Sequence, residues 1–331
     1  PIFRSANKFC AIIMFVYLYV FQVALKIIKH CKEQGAGELS QGVLSGLLHN
    51  NTVEVTNCFP RPSNENNDFD EHLYQLEMLR KLREVNVDHF HVGWYQSTFL
   101  GSFLNKNFIE SQFDYQQMAE ESVVIVYDPL QTNQGNLSFK AYRLTKKLMQ
   151  LYSGGDKSFT PEGLSSKGLD FHNILEEIPV TVRTSNLGNV LISEIIGSNP
   201  YNGKGDFMSL STGSYLEKNV HSLIEGADEL CQDAQKLHNY QRNVARQQQQ
   251  IENYKQKRQH ENDARKARGE APLPEEDVNK IFRPNLPPNR LEHLLSTGQI
   301  ATYCDHLTEY ASQSFGKLFI AESVQKQSTE G

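Results

Sequence analysis

Cysteine is scarce in this sequence, and its distribution excludes a thiol-based framework. The five cysteines of the 331-residue chain are Cys10, Cys31, Cys58, Cys231 and Cys304, and no C-x-x-C pair occurs. A disulfide scaffold or a thiolate zinc site needs paired or clustered cysteines. We therefore expect five free thiols, which is usual in a reducing compartment, and a cytoplasmic protein.

An excess of positive charge is also absent. The chain has 33 Lys and Arg residues against 39 Asp and Glu residues, which gives a formal net charge of -6. This balance argues against general affinity for nucleic acid, so any RNA contact needs a local basic patch. Hydrophobic residues make up 39% and charged residues 22%, which is ordinary for a globular protein of one large or two modest domains.

No apolar run reaches the ~20 residues that a membrane-spanning helix needs. The longest run, AIIMFVYLYVFQVA at 11–24, follows Arg4 and Lys8, and Gln22 and Lys26 interrupt its apolar character. No small-residue cleavage motif follows it, so three interpretations stay open: an incomplete or artefactual start, a buried strand, and a targeting or membrane segment. We treat residues 1–22 as an atypical apolar segment and expect no membrane association.

Hydrophobic periodicity in the first half predicts a domain of mixed strands and helices. The predicted strands cover 41–48, 52–59, 87–94, 123–127 and 137–142, and the predicted helices cover 26–34, 71–84 and 105–121. The order has no strict βαβ repeat, which favours a mixed sheet flanked by helices, of α/β (α+β) class. We expect this domain to occupy residues 23–200, with an α-helical region after it.

Residues 201–270 are predicted to form a long helical region. From Leu216 to Val244, seam positions recur in steps of four and three, which is typical of a heptad seam packed against another helix of the same chain or of a partner. The candidate partner-binding residues of this seam are Leu216, Val220, Leu223, Leu230 and Leu237.

A basic, polar extension continues this region. The stretch 242–268 has eight Lys or Arg residues against three acidic ones. Such a run is either a solvated helical face or a surface for RNA phosphates. The candidate RNA contacts are Arg242, Arg246, Lys255, Lys257, Arg258 and Arg265.

Proline separates this region from a last helix. Five prolines in 271–290 predict an extended, stiff connector. Apolar residues then recur at helical spacing within 291–331, and Leu307, Leu318 and Phe319 are candidate contacts in a helical bundle. A connector followed by an apolar helix favours assembly over catalysis.

The one sequence that could carry chemistry is Asp88-His89-Phe90-His91. On a strand, His89 and His91 share a face and could reach one metal ion. A catalytic zinc usually needs a third protein ligand and a nearby carboxylate base. The alternative is a pair of partly buried strand histidines with no metal.

Together with the preceding G-V-L-S-G strand at 42–46, this H-x-H pair resembles the MPN fold of the zinc-dependent JAMM peptidases, which remove ubiquitin-like modifiers. The resemblance implies that the zinc motif is incomplete. The motif has a proline where this chain has Val92, and a serine where it has Phe99. The zinc-binding aspartate is replaced by Ser102, and the general-base glutamate is replaced by Leu39. We therefore expect no catalysis, no metal and no cofactor. The rival hypothesis is a zinc isopeptidase with an unrecognised third ligand.

Longer strings of the chain are more specific. The strings VTNCFP at 55–60, VDHFHVGWYQST at 87–98 and PLPEED at 272–277 resemble the h-type subunits of eukaryotic translation initiation factor 3, and the resemblance runs from 23 to 319. It implies a non-catalytic scaffold subunit that supports the preinitiation complex on the small ribosomal subunit and mRNA recruitment. The implied partners are the other subunits of the factor, especially its f-type MPN subunit and the PCI subunits of a helical bundle.

Overall fold

A mixed, eight-stranded sheet forms the centre of the molecule. The computed structural model describes residues 15–18, 21–35, 38–49, 52–62, 71–133, 137–153, 159–198, 213–269, 282, 285 and 287–330. The strands are β1 (Phe15–Leu18), β2 (Gln41–His49), β3 (Thr52–Pro60), β4 (His91–Ser97), β5 (Val123–Tyr127), β6 (Phe139–Leu144), β7 (Leu175–Ile178) and β8 (Val180–Val182). Their order in the sheet is β7-β6-β5-β4-β2-β3-β1-β8. The pairs β4–β5, β1–β3 and β1–β8 are parallel and the others antiparallel, so the predicted mixed sheet is confirmed.

Helices cover both faces of this sheet and continue beyond it. They are α1 (Phe21–Gln34), α2 (Glu71–Glu84), α3 (Lys106–Met118), α4 (Pro129–Asn133), α5 (Lys146–Ser153), α6 (Pro161–Lys167), α7 (Asn186–Ser198), α8 (Gly213–Ala267) and α9 (Leu291–Glu330). Local capping sets several bounds: the Asn105 side chain accepts a hydrogen bond from the Phe108 amide, so α3 begins at Lys106. The helix predicted over 71–84 is confirmed to the residue.

Two apolar cores lie on the two faces of the sheet. Helix α1 covers one core through Val23 and Ile27, together with sheet residues such as Val55. Helices α3, α5 and the start of α9 cover the other core, to which α9 contributes Leu291 and Leu295. Strand β5 is buried at every position because both of its faces are covered, which explains its uninterrupted VVIVY sequence. The C-terminal helix is thus part of the packing of the sheet domain.

The strand predicted over 87–94 was wrong at its start, since β4 begins at His91. Residues before it are used to end α2: Asn86 has a φ of 55°, and the Val87 amide donates to the Leu82 carbonyl at 3.0 Å. His89 lies between this helix end and β4, outside the strand. The prediction that His89 and His91 lie on one strand was therefore wrong.

The apolar run at 11–24 contains strand β1 and the first residues of α1. Val16 in β1 is fully buried, and the strand pairs with both β3 and β8. The structure thus shows a strand at residues 15–18, which agrees with the buried-strand interpretation of this run. None of the helices in the described ranges is both long and apolar enough to span a membrane.

Candidate functional site

A cavity of about 340 Å³ lies at the carboxyl end of β4. Three positions that the metallopeptidase resemblance singled out, Leu39, Phe99 and Ser102, line it together. Ser97 and Thr98, at the end of β4 and just after it, line it as well. The structure therefore brings the Glu, Ser and Asp positions of the expected motif to one place, although none of them carries a carboxylate.

The two histidines do not reach this cavity. His91 pairs with Ser45 at the first residue of β4, whereas Ser97 ends the strand six residues later. At about 3.3 Å per residue, this separation is roughly 20 Å. His89 lies before the strand, with its ring stacked on Phe90 at 4.8 Å between centroids. The structure thus separates His89 and His91 from the other motif positions.

His91 is half-buried and packs against helix α3. Its ring stacks on Tyr115 of α3 with 4.8 Å between centroids, and burial lowers the pKa of His91 to about 4. A histidine with this pKa is neutral at physiological pH. Val92, at the motif's proline position, is buried in the core on the α1 side. These positions therefore have a packing role in the structure.

Ser97 and Thr98 are the cavity residues that sequence reasoning missed. The Ser97 hydroxyl accepts a hydrogen bond from the Ser40 amide at 2.8 Å and donates to the Glu38 carbonyl at 3.3 Å. These bonds tie the end of β4 to the segment before β2. The sequence did contain a signal for Ser97 and Thr98, because the family-like string VDHFHVGWYQST ends with these two residues.

The cavity lacks the donor set of a zinc peptidase. Within the described ranges, no group of three His, Cys, Asp or Glu side chains lies close enough to hold a metal ion. Its lining carboxylates are Glu38 and Glu225, and both are exposed. In a zinc peptidase a bound Lewis acid activates the water for amide hydrolysis, and the described residues of this cavity do not offer three ligands to hold one.

The two C-terminal helices form part of the wall of this cavity. Ser222 and Glu225 of α8 and Tyr303 of α9 are part of its lining. This arrangement favours a structural role for the cavity.

Helix α9 also binds the loop at 98–105 that follows β4. The side-chain nitrogen Nε2 of Gln299 donates a hydrogen bond to the Gly101 carbonyl at 2.6 Å. The Gln299 side-chain oxygen accepts from the Phe103 amide at 3.2 Å and from the Leu104 amide at 3.0 Å. One side chain of the last helix therefore satisfies three backbone groups of the loop.

Asp128 is a buried carboxylate beside this loop, only 2% exposed. One of its oxygens accepts from the Leu130 amide at 2.9 Å and the Gln131 amide at 3.4 Å, so it caps α4. The other oxygen has no hydrogen-bond partner among the described residues. Burial raises the pKa of Asp128 to about 6, while its backbone hydrogen bonds oppose the shift.

The predicted heptad seam is divided between two faces of α8. Helix α9 packs antiparallel on α8, since Tyr215 meets Tyr310 at 5.1 Å between ring centroids and Gly226 lies against Ile300. Leu223, Leu230 and Leu237 are half-buried, whereas Leu216 and Val220 are 43% and 38% exposed. The residues that face α9 near the start of α8 are Tyr215 and Asn219, one position before the predicted seam.

The final third of α9 leaves the body of the protein. Leu307 is half-buried, but Leu318 is 49% and Phe319 is 76% exposed. Phe315 and Val324 are exposed as well. Large exposed apolar residues that cluster on one helix are typical of a protein–protein contact.

The candidate RNA contacts fall into two groups. Arg258 and Arg265 are half-buried and engaged, Arg258 with the Tyr254 hydroxyl at 3.0 Å and Arg265 with the Glu261 carboxylate at 3.6 Å. The other four are exposed along the basic extension: Arg242, Arg246, Lys255 and Lys257.

Comparison with known proteins places both halves of the chain. Residues 132–330 match the family model described as the C-terminal region of eIF3h. Residues 21–121 match the family described as JAB1/Mov34/MPN/PAD-1 ubiquitin protease. The sheet domain thus has the MPN fold, as the resemblance implied.

Similar curated proteins are named as the H subunit of eukaryotic translation initiation factor 3. The one from Nematostella vectensis is 53% identical over 305 residues, which cover 91% of each chain. Those from Xenopus tropicalis and Bombyx mori are 50% and 46% identical, covering 92% and 91% of this chain and 91% and 89% of their own. The chain therefore belongs to the family of the H subunit of eukaryotic translation initiation factor 3.

Proposed function

We propose that this protein is a non-catalytic scaffold subunit of translation initiation factor 3. The observation that carries the proposal is the 53% identity to an H subunit that spans 91% of both chains. In this role it acts in the cytoplasm and supports assembly of the preinitiation complex on the small ribosomal subunit, including mRNA recruitment.

Two features of the MPN domain support a role without catalysis. The cavity at the motif positions has a leucine at the general-base position and a serine at the position of the aspartate ligand. Helices α8 and α9 also line it, where a substrate would need access. An intact fold without a working centre is suited to holding other proteins.

The C-terminal helices supply surfaces for the other subunits of the factor. We assign the exposed apolar residues at the end of α9 and the outward residues Leu216 and Val220 of α8 to contacts with PCI subunits in a helical bundle. The MPN domain is assigned to pairing with the f-type MPN subunit. In this division residues 23–200 form the MPN domain, 201–270 the long helix, 271–290 the connector and 291–331 the bundle helix.

Co-purification tests this role. Two exposed phenylalanines, Phe315 and Phe319, lie one turn apart on α9, so Phe315→Asp with Phe319→Asp places charge in the proposed interface without touching either core. The matched control is Thr308→Asp with Ser312→Asp, which introduces the same residue at the same spacing on the same helix, at two exposed polar positions.

Tagged full-length chains are recovered from cytosolic lysate, and their partners and zinc content are measured. Wild type and control are expected to retain the other factor subunits and small-subunit ribosomal proteins, while the phenylalanine variant loses them. Retention by the phenylalanine variant would refute the bundle assignment. Stoichiometric zinc that disappears on His91→Ala would instead favour the isopeptidase rival.

A further inference from the structure

The last part of α8 extends beyond the helix that packs on it. The first turn of α9 lies beside Asp233 and Lys236, since Asp233 acts electrostatically on His293 and Glu292 acts on Lys236. Helix α8 continues to Ala267, 31 residues beyond Lys236. At 1.5 Å per residue this extension is about 45 Å long.

The cations of this extension are sorted by face. Each helical residue turns by about 100°, so Arg242, Arg246 and Lys257 lie within roughly 60° of arc. All three are exposed, and no Asp or Glu falls within that arc. Glu261, four residues after Lys257, pairs with Arg265 at 3.6 Å. We call Arg242, Arg246 and Lys257 the cationic face.

The opposite side of the helix carries a different charge pattern. Lys255 and Lys266 each lie nine residues after a member of the cationic face, which places them about 180° away from Arg246 and Lys257. Glu252 and Asp263 each precede one of these lysines by three residues and share their flank. Positive charge is therefore concentrated on one side, although the whole chain carries -6.

We infer that the cationic face binds the phosphate backbone of RNA. Within the same arc from 242 to 268, the residues other than the cations are Asn253, His260 and Ala264, and none is a large apolar, Phe, Tyr or Trp side chain. A protein partner would require an apolar core of contact, usually with aromatic residues. A polyanion backbone requires cations and neutral hydrogen-bond donors spaced along an open surface, which this face provides.

The binding is expected to be independent of sequence. Base reading in single strands usually involves aromatic rings, and Tyr254 is the one aromatic residue from 242 to 268. Its ring lies against Phe282, at 5.9 Å between centroids, and its hydroxyl accepts from Arg258. This contact goes beyond the proposed scaffold role, which supplies two sources of RNA: single-stranded mRNA and the duplex regions of ribosomal RNA.

The test uses purified full-length protein and a fluorescent 20-nucleotide RNA, as an unstructured strand and as a duplex. Affinity is measured from 50 to 200 mM salt for wild type, for Arg246→Gln with Lys257→Gln, and for Lys255→Gln with Lys266→Gln. Both variants lose two charges spaced eleven residues apart on one helix, and they differ only in face. Circular dichroism checks that helix content is unchanged.

Removing the cationic-face pair is expected to reduce the salt slope by about 1.4 for the single strand, because each phosphate contact contributes about 0.7. Over this fourfold range of salt, wild type then loses roughly sevenfold more affinity than the variant. The control pair is expected to keep the wild-type slope. A preference for strand or duplex identifies the source of RNA.

Three outcomes would overturn the inference: no RNA binding, equal losses for the two pairs, or equally tight binding to polyglutamate, which would point to an acidic protein. Because the test needs neither other subunits nor ribosomes, its failure leaves the scaffold proposal intact. Conversely, failed co-purification would leave an RNA contact of the isolated chain untouched.

Discussion

The contact between Gly101 and His306 allows a quantitative test of how the last helix holds the MPN domain. Gly101 has a φ of 76°, in the left-handed region. A Cβ atom there would lie 2.3 Å from Cε1 and 2.7 Å from Nδ1 of the His306 ring. His306 is 5% exposed, so the ring has little room to move away. We therefore expect Gly101→Ala to destabilise the protein through two separate effects.

The two effects can be estimated separately. A left-handed conformation costs a residue with a Cβ atom roughly 1–2 kcal/mol. Forcing an additional methyl group into a packed contact costs about 1–3 kcal/mol more. We expect Gly101→Ala to lower the free energy of unfolding by roughly 2–5 kcal/mol. The assay is urea denaturation monitored by circular dichroism, with the free energy extrapolated to water.

Gly168 provides the matched control. It also has a left-handed φ, 57°, but a Cβ atom there would meet nothing within 4 Å. Gly168→Ala should therefore cost only the strain, roughly 1–2 kcal/mol. In a His306→Ala background the cost of Gly101→Ala should fall to this same value. If Gly101→Ala costs no more than Gly168→Ala in the wild-type background, α9 does not pack tightly against the loop at 98–105.

Three further predictions concern polar groups that are hydrogen-bonded at buried or half-buried positions. Burial raises the pKa of Asp128 from 3.8 to about 6, so stability falls as pH rises between these values. Asp128→Asn, which keeps an acceptor for the cap, should gain about 3 kcal/mol at pH 7.5 and nothing below pH 4 in denaturant titrations. Gln299→Ala removes three hydrogen bonds and should increase hydrogen exchange at the Phe103 and Leu104 amides. In the wild type the buried indole N–H of Trp94 donates to the Gln112 side-chain oxygen at 2.7 Å. Gln112→Leu removes this acceptor and should lower the free energy of unfolding in urea by about 1–3 kcal/mol.

Each of these predictions has a contrary result. Equal pH profiles for wild type and Asp128→Asn would show that the carboxylate is solvated in the native state. Unchanged exchange in Gln299→Ala, with Gln313→Ala on the same helix as control, would remove the role assigned to Gln299. A neutral Gln112→Leu would mean that the indole finds another acceptor.

Strong local periodicity explains which elements the sequence predicted well. Helix α2 was predicted to the residue because Leu73, Leu76, Leu79 and Leu82 recur every three residues in a mostly polar segment. Strand β5 was equally clear, because four of its five apolar or aromatic residues are β-branched, which favours a strand with both faces covered. The apolar run at 11–24 has no period, so nothing in it could mark where β1 ends and α1 begins.

Tertiary packing decides which stripe of α8 contacts α9, and the periodicity of the sequence could not identify that stripe. Steps of four and three suit two neighbouring stripes equally well when small and polar residues are mixed in. Helix α9 covers the stripe through Tyr215 and Asn219, so Leu216 and Val220 remain exposed. The choice between stripes depends on residues such as Ile300, which lies 74 positions away from its neighbour Gly226.

The histidine pair shows why spacing alone gives a weak metal prediction. His89 and His91 have the right separation, but Asn86 and Val87 close α2 immediately before them, and the length of β4 separates His91 from Leu39 and Ser102. The positions that do meet at the cavity are distant in sequence. Their proximity depends on the antiparallel register of β2 and β4, which no local pattern specifies.

The contribution of Leu291 and Leu295 to the second core has a consequence for synthesis of the chain. The other main residues of that core lie between Trp94 and Ile174, and Leu291 lies 117 positions after Ile174. At about 5–20 residues per second, the ribosome needs roughly 6–23 s to add them. During that interval the apolar surface around Phe103 and Phe108 lacks its final cover. The second core of a nascent chain is thus completed only when the last helix has been synthesised.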